Sequence, residues 1–196
     1  MKYKPRPLQT EWVNLKVSRG SQALKILPFL DAKVLKNISL ETPDGVREVT
    51  NLDEIERILE LDQVKMASYL DLSEFFVNTD VKKFFHFEKV YVRYPEISLE
   101  SLVAVKEAFT TSTHMNCFSL GKYEMDNERF EEVFGKALDY AYKEGEMILY
   151  ETKKWYFKIR TSKQQVLEIN FILMIRRLTF KRVEIADVVE NAIVRD

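Results

Sequence analysis

The segment KKWYFKIRTSKQQVLEINFILMIRR, residues 153–177, decides the fold prediction because both of its halves alternate with the two-residue period of a β-strand. In the first half, Trp155, Phe157 and Ile159 fall on one side, and mainly cationic residues fall on the other. In the second half, the residues that share one side are all apolar: Leu167, Ile169, Phe171, Leu173 and Ile175. The polar loop 162–165 separates the two halves. The pattern predicts an antiparallel hairpin with one apolar face buried in the core and one basic face exposed to solvent.

The two strands of the hairpin are predicted over 154–161 and 166–178, and a third strand over 147–151 extends the hairpin into a β-meander. The clearest helix is predicted over 126–143, where apolar residues recur at helical spacing up to a stop at Gly145. Further helices are predicted at 51–60 with Asn51 as its cap, at 98–109, at 184–193 and at the start of 62–76. Further strands are predicted at 12–17, 34–42, 46–50 and 84–94, with a tight turn at Pro43-Asp44-Gly45. Together these elements predict an α+β fold with a mainly antiparallel sheet, a C-terminal β-meander and three to four packed helices.

The length of the chain sets the expected domain organisation. At 196 residues it can bury a sizeable core, and we expect a single compact domain over 1–196. The most linker-like segment is the Ser/Thr run 110–113. The alternative is therefore two sub-domains, 1–109 and 114–196, joined at that segment.

Charge is distributed unevenly, although the net charge is only −1. Residues 147–182 hold nine bases and two acids, a local balance of +7, whereas residues 26–146 hold 24 acids and 14 bases, a balance of −10. A basic strand region beside an acidic body indicates either an anionic partner or internal charge pairing. The sequence leaves both interpretations open.

The favoured function from sequence is non-catalytic binding of nucleic acid, either DNA or RNA, through the basic and aromatic sheet face. Lys and Arg neutralise phosphates, and aromatic rings stack on bases. The predicted contact residues are Lys154, Tyr156, Lys158, Arg160, Lys163, Arg176, Lys181 and Arg182. A second candidate face on the predicted strand 84–94 combines Phe85, Phe87, Lys89, Tyr91 and Arg93.

Two alternative functions use acidic residues. A protein–protein regulator or inhibitor would present the acidic helices 51–60 and 126–143, with Glu128, Glu131 and Glu132 as partner-binding residues. A Mg²⁺-dependent nuclease would use Glu151 as a metal ligand and Lys153 to hold the attacking water. The same basic face could also pair with the acids of this chain.

Composition argues against several other classes of protein. The single Cys117 excludes an internal disulfide framework, and five scattered glycines argue against a phosphate-binding loop. His86, His114 and Cys117 are too few for a structural zinc site, so we expect no metal, cofactor or catalytic residue. The chain shows neither a secretory signal nor a membrane-spanning run, and we expect a cytoplasmic protein without membrane contact.

Overall fold

The computed structural model of the protein describes residues 6–43, 52–122, 127–144 and 147–196. Four of the sequence predictions lie outside these residues. They are the turn at Asp44-Gly45, the strand 46–50, the cap at Asn51 and the helix stop at Gly145.

The described residues form ten strands and five α-helices, joined by loops and short 3-10 helices. The strands are β1 Trp12–Lys16, β2 Asn37–Glu41, β3 Tyr69–Phe76, β4 Lys89–Tyr94, β5 Cys117–Lys122, β6 Leu138–Glu144, β7 Met147–Lys158, β8 Gln165–Ile172, β9 Arg177–Glu184 and β10 Val194–Arg195. The helices are α1 Gly20–Ile26, α2 Leu52–Leu59, α3 Asp62–Lys65, α4 Leu99–Thr111 and α5 Asn127–Phe134. The α+β class is confirmed.

All ten strands belong to one mixed sheet, with the order β1-β2-β3-β4-β5-β9-β8-β7-β10 and with β6 paired to β7. Strands β1 to β5 are parallel neighbours in chain order. The pairs β5–β9, β9–β8 and β8–β7 are antiparallel, and the short strand β10 is parallel to β7. The prediction of a mainly antiparallel sheet is therefore wrong for the N-terminal half. Side-chain alternation is the same in both kinds of ladder, so the pattern alone could not separate them.

The parallel half of the sheet has a helical face and an open face. When each parallel strand is added beside the previous one, right-handed crossovers place the connecting helices on one side of the sheet. The strand residues that face these helices are buried and apolar: Ile38, Leu40, Leu70, Leu72, Val90, Val92, Phe118 and Leu120. The residues that alternate with them lie on the opposite side, which we call the open face.

An aromatic cluster joins the antiparallel half to helix α5. Phe134 packs edge-on against Trp155, with 5.6 Å between the ring centroids, and also contacts Phe180 at 6.1 Å. The indole Nε1 of Trp155 donates a 2.7 Å hydrogen bond to the carbonyl of Gly135. Gly135 has φ +76°, a left-handed conformation that ends the helix at Phe134. The Trp155 indole therefore packs against the aromatic core and also holds the end of α5 through its hydrogen bond.

This helix end corrects the prediction of one helix over 126–143. The structure has α5 over Asn127–Phe134 and then the strand β6 over Leu138–Glu144. Tyr140 and Tyr142 alternate along β6, which pairs with β7. The apolar spacing continued past Gly135, but the left-handed glycine redirects the chain into the sheet.

Two further elements of the parallel half differ from their predictions. In 62–76, helix α3 stops at Lys65 and strand β3 follows. In 84–94, the strand starts only at Lys89, because 81–84 form a 3-10 helix whose Phe84 is buried. Phe85 and Phe87 therefore lie outside the strand that carries Lys89, Tyr91 and Arg93.

The C-terminal elements also differ in part. Strands 147–151 and 154–161 are predicted separately, but they are one continuous strand, β7. The predicted helix 184–193 is a 3-10 helix at Ile185–Asp187, after which the chain reaches β10. Val194 of β10 is paired with Tyr156 of β7, so the C-terminal segment forms the edge of the sheet beside β7.

Replacing Phe134 by alanine is expected to lower the free energy of unfolding by about 3–5 kcal/mol, because it opens a cavity between α5, Trp155 and Phe180. Urea denaturation followed by tryptophan fluorescence measures the change. The control is Phe29→Ala, because Phe29 is 66% exposed and should change stability by no more than about 0.5 kcal/mol. Equal effects of the two variants would contradict the packing role of the cluster.

Candidate functional site

The centre of the predicted nucleic-acid face is occupied by the protein's own carboxylate. Lys154 Nζ lies 3.0 Å from Glu168 Oε2, and both side chains are nearly buried, at 14% and 13% exposure. The Tyr156 hydroxyl donates a 2.8 Å hydrogen bond to the same oxygen. Burial raises the pKa of Tyr156, and the bond to Glu168 adds to this. Lys154 and Tyr156 therefore share a face, as the alternation indicates, but they bind Glu168 across the β7–β8 pair.

Three other predicted residues meet at the end of β7. Lys158, Arg160 and Lys163 line a pocket of about 600 Å³, together with Lys106 of helix α4. Lys158 forms a 2.6 Å ion pair with Asp196, which also lines the pocket. The apolar lining includes Phe157, Ile159, Val166, Ile185 and Val194. This arrangement is an apolar pocket with cations around it rather than a flat basic surface.

The last three predicted contact residues are separated from one another. Arg182 donates hydrogen bonds to the carbonyls of Met115, Phe109 and Ser112, and it thereby holds the loop after α4. Arg176 has φ 48° in the turn between β8 and β9. Lys181 is exposed on the open face at the start of a different group of cations, described below.

The acidic alternatives are also partly engaged within the chain. Lys153 Nζ lies 2.9 Å from Glu131 and 3.5 Å from Asp139, so the predicted nuclease lysine binds acids of α5 and β6. The bond to Lys153 lowers the pKa of Glu131. Glu151 and Glu132 are exposed, and the side chain of Glu128 lies outside the described residues. Asp139 and Glu151 line one small pocket, but in the described part of the chain no three potential metal ligands cluster.

Replacing Glu168 by alanine is expected to destabilise the fold by about 1–3 kcal/mol, because Lys154 and Tyr156 lose their shared acceptor in a nearly buried site. Chemical denaturation measures the change. The control is Asp196→Ala, which removes the exposed partner of Lys158 and should have little effect. A Glu168→Ala variant as stable as the wild type would show that the cluster contributes nothing.

The register across β5 creates a further site, which we call the β5 groove. Its floor consists of three small residues, Cys117, Ser119 and Gly121. The β4 residues paired beside them are Lys89, Tyr91 and Arg93. The β9 residues paired on the other side are Lys181, Thr179 and Arg177. Each end of the floor is therefore flanked by two cations, and its middle is flanked by a tyrosine and a threonine.

The dimensions of this groove suit an extended chain. Neighbouring strands are about 4.8 Å apart, so backbone positions on β4 and β9 are separated by about 10 Å across β5. The two pairs of cations are four residues apart along the strands, which corresponds to about 13 Å. Lys89, Lys181 and Arg177 are exposed, while Arg93 is half-buried with its guanidinium 4.9 Å from the Phe76 ring centroid. Acids flank the groove on both sides: Asp71 of β3 is paired with Tyr91, and Glu168 of β8 is paired with Lys181.

At the arginine end, the groove deepens into a polar pocket of about 190 Å³. Its polar lining comes from Arg93, Arg177, Ser73, Ser119 and Tyr91. Gly121 forms part of the same wall, and an added Cβ there would lie 3.6 Å from Cγ of Arg93. The missing side chain at this position thus leaves space beside the guanidinium.

Residues 3–137 match the FTH domain, which is more than half of the 196 residues. The chain belongs to the FTH domain family. The matched part of this FTH domain protein contains strands β1 to β5 and helices α1 to α5. No curated protein and no solved structure gives a significant match to the chain. In the described part of the FTH protein, none of the helices has the length and apolar character needed to cross a membrane.

Sequence reasoning identified half of the β5 groove. Lys89, Tyr91 and Arg93 were grouped from their alternation on one strand, and Lys181 was selected for its charge. The floor residues and Arg177 were missed, because only the parallel pairing of β4 with β5 and the antiparallel pairing of β9 bring them together. The one available signal was the small size of alternate residues in Cys117-Phe118-Ser119-Leu120-Gly121.

The pKa of the Cys117 thiol depends on its position in the floor of the β5 groove. Burial raises its pKa, while the nearby charges of Lys181, Lys89 and Arg177 act in the opposite direction. Since the thiolate is the reactive form, a raised pKa keeps Cys117 neutral and slow to react at mildly alkaline pH. The three cations that influence this sulfur are the exposed cations of the groove.

Alkylation of Cys117 by iodoacetamide at pH 8 is expected to be several-fold slower in the folded FTH domain than in urea, where burial is lost. The rate in the folded protein should continue to rise as the pH is increased above the ordinary thiol range. Mass spectrometry of timed samples measures both rates. A folded-state rate equal to that in urea would contradict the burial of the thiol.

Proposed function

We propose that this FTH domain protein is a non-catalytic protein-binding module that holds an extended, acidic segment of a partner protein in the β5 groove. The observation that carries the proposal is the arrangement of four cations around three small floor residues on the open face. The lysine and arginine pairs at the two ends are complementary to acidic side chains of that segment.

The residue types of the groove are those of a protein interface. Tyrosine and arginine are enriched in protein–protein interfaces, and both occur here in partly ordered positions. The ring of Tyr91 lies 5.8 Å from that of Tyr69, measured between centroids. Arg93 is supported by the ring of Phe76. Side chains that are already ordered lose little conformational freedom when a partner binds.

A protein partner is favoured over nucleic acid by the state of the basic residues in 147–182. Nucleic-acid binding gains affinity from many cations along one surface. Lys154 is instead paired with Glu168, Lys158 with Asp196, and Lys153 with Glu131. Tyr156, the proposed stacking residue, is 1% exposed. The four groove cations are too few for a long phosphate backbone but suit a short acidic segment.

Selection from a random library of displayed 12-residue peptides tests the proposal without a known partner. We expect the FTH domain protein to enrich acidic peptides, and synthetic copies should bind at least tenfold more weakly to a Lys89→Glu/Lys181→Glu variant. Both lysines are exposed. Because Lys181 is paired with Glu168 across β8 and β9, circular dichroism should show that the variant is folded. Fluorescence anisotropy measures the affinities, with random single-stranded DNA and RNA of matched charge as competitors.

The matched control is Lys25→Glu/Lys33→Glu, which makes the same charge change at exposed positions away from the groove. This control should bind the selected peptides as the wild type does. Equal losses in the two variants would mean that only net charge matters, and the groove proposal would fail. Tighter binding of an oligonucleotide than of any selected peptide would instead support the nucleic-acid hypothesis.

A further inference from the structure

The pocket of about 600 Å³ at the end of β7, which we call the α4–β7 pocket, shares no lining residue with the β5 groove. Its walls come from helix α4, the end of β7, the loop to β8 and the C-terminal segment, which contributes Ile185, Val194 and Asp196. Pockets of about 300–1,000 Å³ with an apolar lining and a few polar groups are typical small-molecule sites in proteins. The size and composition of the α4–β7 pocket therefore suit a small ligand.

The apolar part of the lining predicts an apolar body for that ligand. Phe157, Ile159 and Val166 line the pocket and are buried. Ile185 also lines it, yet this side chain is 54% exposed. A ligand that covers exposed apolar surface gains free energy in proportion to the area removed from water. The pocket thus offers apolar surface that the chain itself leaves in contact with solvent.

Two basic side chains of the α4–β7 pocket are available to an anion. Arg160 and Lys163 are both exposed, and neither forms an ion pair with another described residue. The other two lining lysines already have contacts. Lys158 Nζ lies 2.6 Å from Asp196, and Lys106 Nζ lies 4.8 Å from the centroid of an aromatic ring in the wall. The charged group of a ligand is therefore expected beside Arg160 and Lys163.

Backbone hydrogen bonds hold the loop that carries these two cations. The amide of Arg160 donates a 2.9 Å hydrogen bond to the carbonyl of Thr110, at the end of α4. On the other side of Lys163, the carbonyl of Gln164 accepts a 2.8 Å hydrogen bond from the amide of Ile185. The loop is thus tied to two walls of the pocket. A site whose backbone is already ordered loses less conformational freedom when a ligand binds.

We propose that the α4–β7 pocket binds a small molecule with an apolar chain and a terminal carboxylate, as in a medium-chain fatty carboxylate. The chain lies against the apolar lining, and the carboxylate lies beside Arg160 and Lys163. A guanidinium donates two parallel hydrogen bonds to a carboxylate. Glu107 and Asp196 line the same pocket, so a single negative charge is repelled less than the two charges of a phosphate monoester. This site does not depend on the β5 groove and goes beyond the proposed function.

Isothermal titration calorimetry of the intact chain with octanoate tests the charged part of the site. Octanoate should bind saturably at one site per chain, and butanoate should bind more weakly by about tenfold or more, because it buries fewer methylenes. Arg160→Gln/Lys163→Gln should weaken octanoate binding by about tenfold or more and leave the affinity for octanol unchanged. The matched control is Lys25→Gln/Lys33→Gln, which removes the same charge at exposed positions away from the pocket.

A second pair of variants tests the apolar part of the site. Ile185→Asp places a carboxylate on the exposed part of the lining and should weaken octanoate and octanol alike. Ile193→Asp makes the same change in the same segment, at a residue that is 71% exposed and does not line the pocket. This control should bind both ligands as the wild type does. Circular dichroism should show that both variants are folded, since both positions are exposed.

The outcomes separate this inference from the proposed function. Absence of saturable octanoate binding, or equal effects of Ile185→Asp and Ile193→Asp, would overturn the site. Tighter binding of octyl phosphate, or of an apolar peptide through its terminal carboxylate, would overturn the fatty-carboxylate assignment. The Lys89→Glu/Lys181→Glu variant should bind octanoate as the wild type does. Failure of the octanoate experiment therefore leaves the β5 groove proposal standing, and failure of the peptide selection leaves this site standing.

Discussion

The parallel strands β1 to β5 follow one another across the sheet in chain order. This order determines on which side of the sheet the helices, the core and the open face lie. Each strand–crossover–strand connection is right-handed, so the helical segments between β1 and β5 all lie on one side. The apolar residues of those strands point to the same side, and the core forms there. The opposite side is left with the polar residues of the strands. The open face and its groove are therefore consequences of topology as much as of composition.

In the antiparallel half, several basic side chains are paired with acidic side chains of the same chain. The lysines lie beside carboxylates that are distant in sequence, as Lys154 does with Glu168 and Lys153 with Glu131. Tyr156, beside the Lys154–Glu168 pair, is 1% exposed and hydrogen-bonds Glu168. Pairing of this kind compensates nearly buried charges. Lys89, Arg177 and Lys181 stay exposed around β5, and Arg160, Lys163 and Arg176 stay exposed elsewhere.

Several elements could be predicted because their signals are local. Helix α4 begins after Ser98, whose hydroxyl accepts a hydrogen bond from the Ser101 amide, close to the predicted start. Strand β1 and the hairpin of β7 and β8 follow from alternation, since a two-residue period also fixes which residues are buried. The prediction is wrong at the end of the second strand: β8 ends at Ile172, and Ile175, which is predicted on the buried face, is 49% exposed in the turn that follows. The division of 126–143 into α5 and β6 could not be predicted, because it depends on the contact between Gly135 and Trp155. Those two residues are far apart in sequence.

The sequence by itself determined which side chains share a strand face, where the charge accumulates and that the fold is α+β, because periodicity and composition act over short distances. The tertiary structure alone decided which strands are neighbours, and hence which cations are neutralised and which surround a groove. Arg93, Gly121 and Arg177 belong to three strands and to three separate parts of the sequence. These residues are brought together by backbone hydrogen bonds between neighbouring strands. The pattern of side chains along one strand does not indicate which other strand it pairs with.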